Sequence, residues 1–172
     1  MAKVTFELWG RYNKETNTKM NEAIKLLTQE EWDKQFPAYF KSVHELCSHI
    51  FGGDHRWLRR FKTIREFKSL GSARFDIEYD FGKLFFNSID DYLAERKELD
   101  AIIMDFMKEL SDDDFGKKLK WVTYKGIECS HTFKTSLLHL FNHQTHHRGM
   151  ISQCLEFLGK ENDFSNLYPY GE

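Results

Sequence analysis

Histidines concentrate in one segment near the end of the chain, LLHLFNHQTHHRGMISQCL, which holds four of the eight in the sequence. Neutral imidazole is a common ligand for zinc and also binds nickel, iron and copper. Two imidazoles four residues apart stand one turn apart on the same face of a helix, close enough to share one ion. The spacing predicts a metal site, but both His139 with His143 and His143 with His147 satisfy it.

Helical phase favours the second of these two pairs. At about 100° per residue, the apolar residues of the segment define an inward arc, and His147 lies about 40° from its middle. His143 lies at the edge of the arc, whereas His139 and His146 lie about 120° or more from the centre. We therefore predict that His143 and His147 are metal ligands and that His139 and His146 are either exposed or only support the ligands.

A third ligand has to come from another helix, because an open zinc centre usually takes three protein ligands. The earlier segment SVHELCSHIFGGDHRWLRRF offers His44, His49 and His55. His49 falls beside the inward positions of that helix, and the other two fall together on the opposite flank. His49 is the preferred third ligand, and Asp54 also points inward, as a further ligand or as a carboxylate that bonds to one.

Two residues of the last helix are candidates for contacts around the ion. Gln144 lies near the centre of the inward arc and is placed to hydrogen-bond to a ligand or to bound water. Arg148 follows His147 directly, and it either extends its guanidinium from the edge of the bundle or orients an anionic substrate. We favour the structural role for Arg148.

The elements that must position these residues are mainly helical. Only two prolines interrupt the 172 residues, and apolar residues recur at helical spacing. We predict a first helix from about Phe6 to Leu27 and a short turn opened by Thr28. A second long helix follows Ser42, a third follows Ser88, and each of these serines has an acidic residue three positions later. The last helix runs from about Thr132 to Leu158 and ends at Gly159.

Two segments between the helices do not follow a helical period. Residues 65–87 combine glycines, aspartates and aromatics, and we predict a long connection with some extended structure. KLKWVTYKGIECSHT alternates large and small residues around Lys125-Gly126, which predicts a β-hairpin before the last helix. Overall the sequence predicts an all-α domain of four long helices with one small hairpin, and we expect residues 1–172 to form a single domain.

Composition limits the classes of function. Lys plus Arg number 25 against 27 Asp plus Glu, so no strong positive field favours nucleic acid as a partner. No run approaches the roughly 20 apolar residues of a membrane span, and no signal peptide is evident at the N-terminus. The three cysteines, Cys47, Cys129 and Cys154, lack metal-site or disulfide spacing and are expected to be buried. We expect a cytoplasmic protein that binds neither nucleic acid nor membrane.

The segments described above resemble the DinB-like family, damage-inducible proteins related to the YfiT group and to bacterial thiol transferases. The resemblance rests on SVHELCSHIFGGDHRWLRRF, HLFNHQTHHRGMISQCLEFLG and LWGRYNKETNTKM. It implies an up-down-down-up four-helix bundle with zinc or nickel bound by one histidine of the second long helix and an HxxxH pair of the fourth. Those ligands correspond to His49, His143 and His147. The family often has glutamine after the glycine, where this chain has Met150.

Two functions are open at this point. The first is a metal-dependent enzyme, a thiol S-transferase or hydrolase, in which the ion activates a bound thiol or water. The sequence contains no HExxH motif and no pair of carboxylates that can be assigned to the site as general base. The second is a non-catalytic module of the stress response, stabilised by metal. In either case we expect a homodimer, and for the enzyme a small thiol as substrate.

Overall fold

The computed structural model describes residues 2–80 and 83–171. These residues form five α-helices and two strands, together with several short 3-10 helices. In order they are α1 (Ala2–Ile24), α2 (Gln29–Asp33), α3 (Val43–Phe61), α4 (Ile89–Glu109), β1 (Lys118–Val122), β2 (Glu128–Thr132) and α5 (Phe133–Phe157).

Short polar side chains begin the helices, as the sequence predicts. The hydroxyls of Ser42, Ser88 and Thr132 each accept a hydrogen bond from the backbone N–H three residues later, which satisfies an otherwise unpaired donor of the first turn. α5 is followed by Gly159 in the left-handed conformation, with φ +71°. α1 ends at Ile24, three residues before the predicted end, because the chain turns there before the capping box of Thr28 starts α2.

Two pairs of long helices pack antiparallel. In each pair, residue numbers rise along one helix while they fall along the other. The contacts that fix these directions are Phe61 with Phe133 and His49 with His143 for α3 and α5, and Gly10 with Met107 and Asn17 with Asp100 for α1 and α4.

The other two neighbouring pairs are parallel. The contacts are Asp54 with Arg96 and Phe61 with Phe106 for α3 and α4, and Phe6 with Phe141 and Asn13 with Arg148 for α1 and α5. The four long helices therefore run up, down, down, up. Parallel α3 and α4 require the chain to return along the length of the bundle between them, which explains the long connection 62–88.

That connection is anchored by short 3-10 helices. They span Lys68–Leu70 and Ala73–Asp76, and Phe67, Leu70 and Phe75 are buried against the bundle. The predicted extended structure does not occur in its described part; Phe81 and Gly82 lie outside the described residues. Buried aromatics at irregular spacing explain why no helical or strand period was visible here.

The predicted hairpin lies directly before α5. β1 and β2 pair antiparallel, with Leu119 opposite His131 and Trp121 opposite Cys129. Gly126 has φ +75°, a conformation that favours glycine, and it forms part of the turn. The Trp121 ring of β1 packs against the Trp57 ring of α3.

Two of the three cysteines are buried and one is half-buried. Cys47 and Cys154 lie in the core, whereas Cys129 on β2 is partly accessible, and all three are free thiols. Within the described parts of the chain, none of the helices combines the length and the apolar character that crossing a membrane requires.

Candidate metal centre

Antiparallel packing of α3 and α5 places His49 opposite His143 and His147. The centroid of the His49 ring lies 4.9 Å from that of His143 and 4.5 Å from that of His147. The two rings of α5 are 4.4 Å apart, one helical turn from each other. The three imidazoles that helical phase selected thus form one group.

The nitrogens of this group are close enough to share an ion. One ring nitrogen from each histidine lies within 4.8 Å of the other two, and the Nε2 atoms of His49 and His143 are 3.0 Å apart. Zinc binds imidazole nitrogen at about 2.0–2.1 Å, so the nitrogens of a tetrahedral site lie roughly 3.4 Å apart. The observed separations, from 3.0 Å to at most 4.8 Å, bracket that value, so the group could hold a metal ion.

Burial keeps these imidazoles in the neutral form, which is the one that binds metal. Burial, followed by the neighbouring imidazoles of His147 and His49, lowers the pKa of His143 to about 3. Burial and His49 lower the pKa of His147 to about 4, and burial with Arg56 lowers the pKa of His49. Within residues 2–80 and 83–171, the buried Nδ1 atoms of His143 and His147 have no hydrogen-bond partner.

An aromatic ring and a cleft flank His49. The Phe40 ring, in the loop before α3, lies 4.4 Å from the His49 ring and meets the His147 ring edge-on at 5.3 Å. The cleft, of about 340 Å³, is lined by His49, Phe40, Ser48 and Glu45 together with residues of the long connection. A small molecule can therefore approach His49 from this side, while Phe40 shields part of the group from water.

Asp54 and Gln144 hydrogen-bond to each other in the core. The Gln144 amide donates to Asp54 Oδ2, which also accepts a hydrogen bond of 2.6 Å from Arg96 on α4. Asp54 and Gln144 are fully buried, and burial raises the pKa of Asp54 to about 7 while Arg96 opposes that rise. Asp54 is not a member of the three-histidine group.

Arg148 is buried and does not extend from the edge of the bundle. Only 2% of its surface is exposed. Its guanidinium donates to the side-chain oxygens of Asn13 at 2.6 Å and Asn17 at 3.2 Å, and it lies over the Tyr12 ring. These contacts join α5 to α1, which fits the structural role that we favoured.

Sequence reasoning missed the residues that complete this network. Arg96 donates to Asp100 at 2.7 Å, and Asp100 accepts from Asn17 at 2.9 Å. Two arginines, two aspartates and three amides thus link all four long helices through the core. A signal was present, because Arg96 lies at helical spacing between the buried Tyr92 and Leu99 of α4, in a row of otherwise apolar positions.

The remaining histidines of the two helices lie outside the group. His139 and His146 are exposed, as predicted. His44 is buried and bonds to Asp33 at 2.8 Å, and His55 is buried with its Nε2 2.6 Å from the carbonyl oxygen of Arg74. His44 and His55 have structural partners.

These features define a class of protein, an up-down-down-up helical bundle with three histidines from α3 and α5 in one group. A family model described as the DinB family matches residues 1–168, and the chain belongs to that family. Among solved structures, a DinB-like protein of Bacillus subtilis, YjoA, is similar, with 16% sequence identity and a TM-score of 0.64. The match covers 92% of this chain and 97% of that one, so the two share a fold. A search of curated proteins found no match.

Proposed function

We propose that His49, His143 and His147 bind one divalent ion, zinc or nickel, and that the protein is a metal-dependent enzyme of the thiol S-transferase or hydrolase type. The observation that carries the proposal is the approach of one nitrogen from each of three neutral imidazoles, two half-buried and one buried, to within 4.8 Å of one another beside a cleft. Three protein ligands leave a fourth position for water or substrate. When bound, the ion supplies a positive charge that lowers the pKa of a thiol or water placed there.

The surrounding residues favour a thiol over water. Within the described chain, no carboxylate belongs to the histidine group, and Glu45, the carboxylate at the cleft, accepts a hydrogen bond of 2.7 Å from the backbone N–H of Lys41. A free thiol has a pKa of about 8.5, against about 15.7 for water, and needs a much smaller shift to become a nucleophile at neutral pH. Resemblance to families that include thiol transferases supports the same choice.

The buried network has a positioning role in this proposal. Gln144 and Arg148 occupy the face of α5 between and beside the two histidines, and their bonds to Asp54, Asn13 and Asn17 fix the rotation of α5 relative to α3 and α1. Because His143 and His147 project from α5, fixing the rotation of this helix about its axis also fixes the positions of the two ligands. We further propose a cytoplasmic homodimer with a single domain over residues 1–172.

Metal substitution tests the proposal. The full chain is loaded with cobalt, whose visible spectrum reports coordination, and titrated with small thiols, then with thiols plus electrophilic acceptors. The expected result is a tetrahedral spectrum, a new thiolate band and a metal-dependent loss of free thiol, all absent in His49→Ala. If neither thiols nor water analogues change the cobalt spectrum, the proposal of an enzyme is contradicted. That result would favour a metal-stabilised dimerisation module.

A further inference from the structure

Arg60, near the end of α3, lies between two tryptophans. Its guanidinium carbon is 4.8 Å from the centroid of the Trp57 ring and 5.1 Å from that of Trp121 on β1. The two indoles meet edge to face at 5.2 Å. Stacking on aromatic faces fixes the plane of the guanidinium and leaves its N–H donors in a defined direction.

This cation forms no ion pair with the described residues, although the charge of Glu78 acts on it from a distance. Among the described residues, Arg60 makes no ion pair, whereas its neighbour Arg59 bonds to Glu78 at 3.3 Å. Arg60 is half-buried, and burial with the nearby charge of Arg56 lowers its pKa to about 10, so it stays charged at neutral pH. A partly desolvated guanidinium that is not in a direct ion pair binds carboxylates and phosphates readily, because less water must be displaced.

Ring contacts through His139 connect the tryptophan pair to the histidine group. The Trp57 ring lies 4.9 Å from the exposed ring of His139, and that ring lies 5.9 Å from His143. Along α3, Arg60 is seven residues beyond Gly53, which contacts His143, and this corresponds to about 10 Å. The histidine group and Arg60 are thus separated along α3 by about the length of an extended ligand of eight or nine atoms.

We propose that Arg60, held between Trp57 and Trp121, binds a carboxylate or phosphate at the far end of the substrate whose reacting atom lies at the three histidines. This inference rests on the proposed function, and it names the substrate class as a small, elongated anion. The guanidinium supplies paired donors to two oxygens of the anion, and the indoles cover the connecting apolar part. The exposed ring of His139 neighbours both Trp57 and His143 and so lies between the two ends.

The first test compares ligands on the cobalt-loaded full chain. The probes carry a thiol at one end of an eight-carbon chain and either a carboxylate or an alcohol at the other. We expect the carboxylate to bind about ten-fold more tightly, the change that one charge-assisted hydrogen bond supplies. Mercaptopropionate is too short to reach Arg60, so it should bind no more tightly than the thiol alcohol of the same length. Equal affinity of the two long probes would overturn the inference.

Matched variants locate the effect. Arg60→Gln should remove the preference for the carboxylate, and Arg59→Gln, which removes the same charge one residue away, should keep it. Helical content and cobalt stoichiometry report whether the variants fold. If Arg60→Gln does not fold, Arg60→Lys is used instead. Lysine keeps the charge but lacks the planar guanidinium that stacks on the indoles, so the preference for the carboxylate probe over the alcohol probe should fall several-fold. An unchanged preference in the Arg60 variant would overturn the inference.

A second arm separates this inference from the proposed function. Inorganic pyrophosphate is titrated into the metal-free protein while the indole N–H resonances of Trp57 and Trp121 are followed. Shifts of both signals that disappear in Arg60→Gln support an anion site even if no thiol changes the cobalt spectrum. Failure of the thiols with success of pyrophosphate contradicts only the proposed function, whereas the absence of pyrophosphate shifts contradicts the anion site.

Discussion

Gly53 of α3 lies directly against the imidazole of His143 on α5. A methyl group at Gly53 would lie 2.8 Å from Cε1 of that ring, closer than side-chain carbons approach other atoms. The absence of a side chain at Gly53 is therefore what allows the His143 ring to lie beside α3, next to His49.

Gly53→Ala should weaken metal binding without unfolding the protein. The added methyl displaces the His143 ring, which can rotate away. The substitution therefore changes the position of this metal ligand more than the packing of the core. We expect the affinity for zinc to fall roughly 10–100-fold, as it does when other residues that orient metal ligands are changed. Competition with a chromophoric chelator measures the affinity.

Gly149 of α5 provides the control for this change. A methyl group there meets nothing within 4 Å. Gly149→Ala should leave zinc affinity unchanged and raise the free energy of unfolding by up to about 1 kcal/mol, the usual gain from glycine to alanine within a helix. Equal zinc affinities of Gly53→Ala and Gly149→Ala would show that the contact with His143 does not matter.

Arg96→Leu should destabilise the protein strongly. It removes the partner of two buried carboxylates, because the side chain of Arg96 is fully buried between Asp54 and Asp100. Leaving buried charges unpaired lowers the free energy of unfolding by roughly 3–5 kcal/mol. Glu95→Gln, one residue earlier on α4, breaks a surface pair with Arg74 and should cost no more than about 1 kcal/mol. Urea unfolding that gives similar values for the two variants would contradict the network's role.

The contrast between the histidines and Arg96 shows what the sequence could and could not predict. His143 and His147 were found because the period of one helix decides which way each residue faces, and Ser42 and Ser88 marked helix starts by local hydrogen bonding alone. Arg96 and Asp100 were missed because their burial depends on partners from α1 and α3. Phe40 was missed for the same reason, since a loop residue carries no period that relates it to His49.

Asp114→Asn should lower stability at neutral pH. Although burial raises it, hydrogen bonds from Arg65, Lys117 and Ser111 hold the pKa of Asp114 well below its usual range. A depressed folded-state pKa adds stability above the unfolded-state pKa of about 3.9, and that stability is lost as pH falls further. We expect a loss of about 2–3 kcal/mol at pH 7.

The pH dependence of this variant shows whether the stability lost in Asp114→Asn comes from the charge of the carboxylate or from its packing. The difference in unfolding free energy between Asp114→Asn and the unmodified protein should shrink below about pH 4, where Asp114 of the unfolded chain takes up a proton while the folded carboxylate stays charged. Asp113→Asn changes an exposed residue of the same 3-10 helix and should have little effect at any pH. A difference for Asp114→Asn that is constant from pH 7 to acid would show that charge is not its cause.

Metal content of His147→Ala tests the central claim most directly. The purified full chain is loaded with zinc or nickel, dialysed and assayed by elemental analysis, with His146→Ala as control because His146 is adjacent, exposed and outside the group. We predict one ion per chain in the unmodified protein and in His146→Ala, and no stoichiometric ion in His147→Ala. Full metal content in His147→Ala would contradict the assignment of the site.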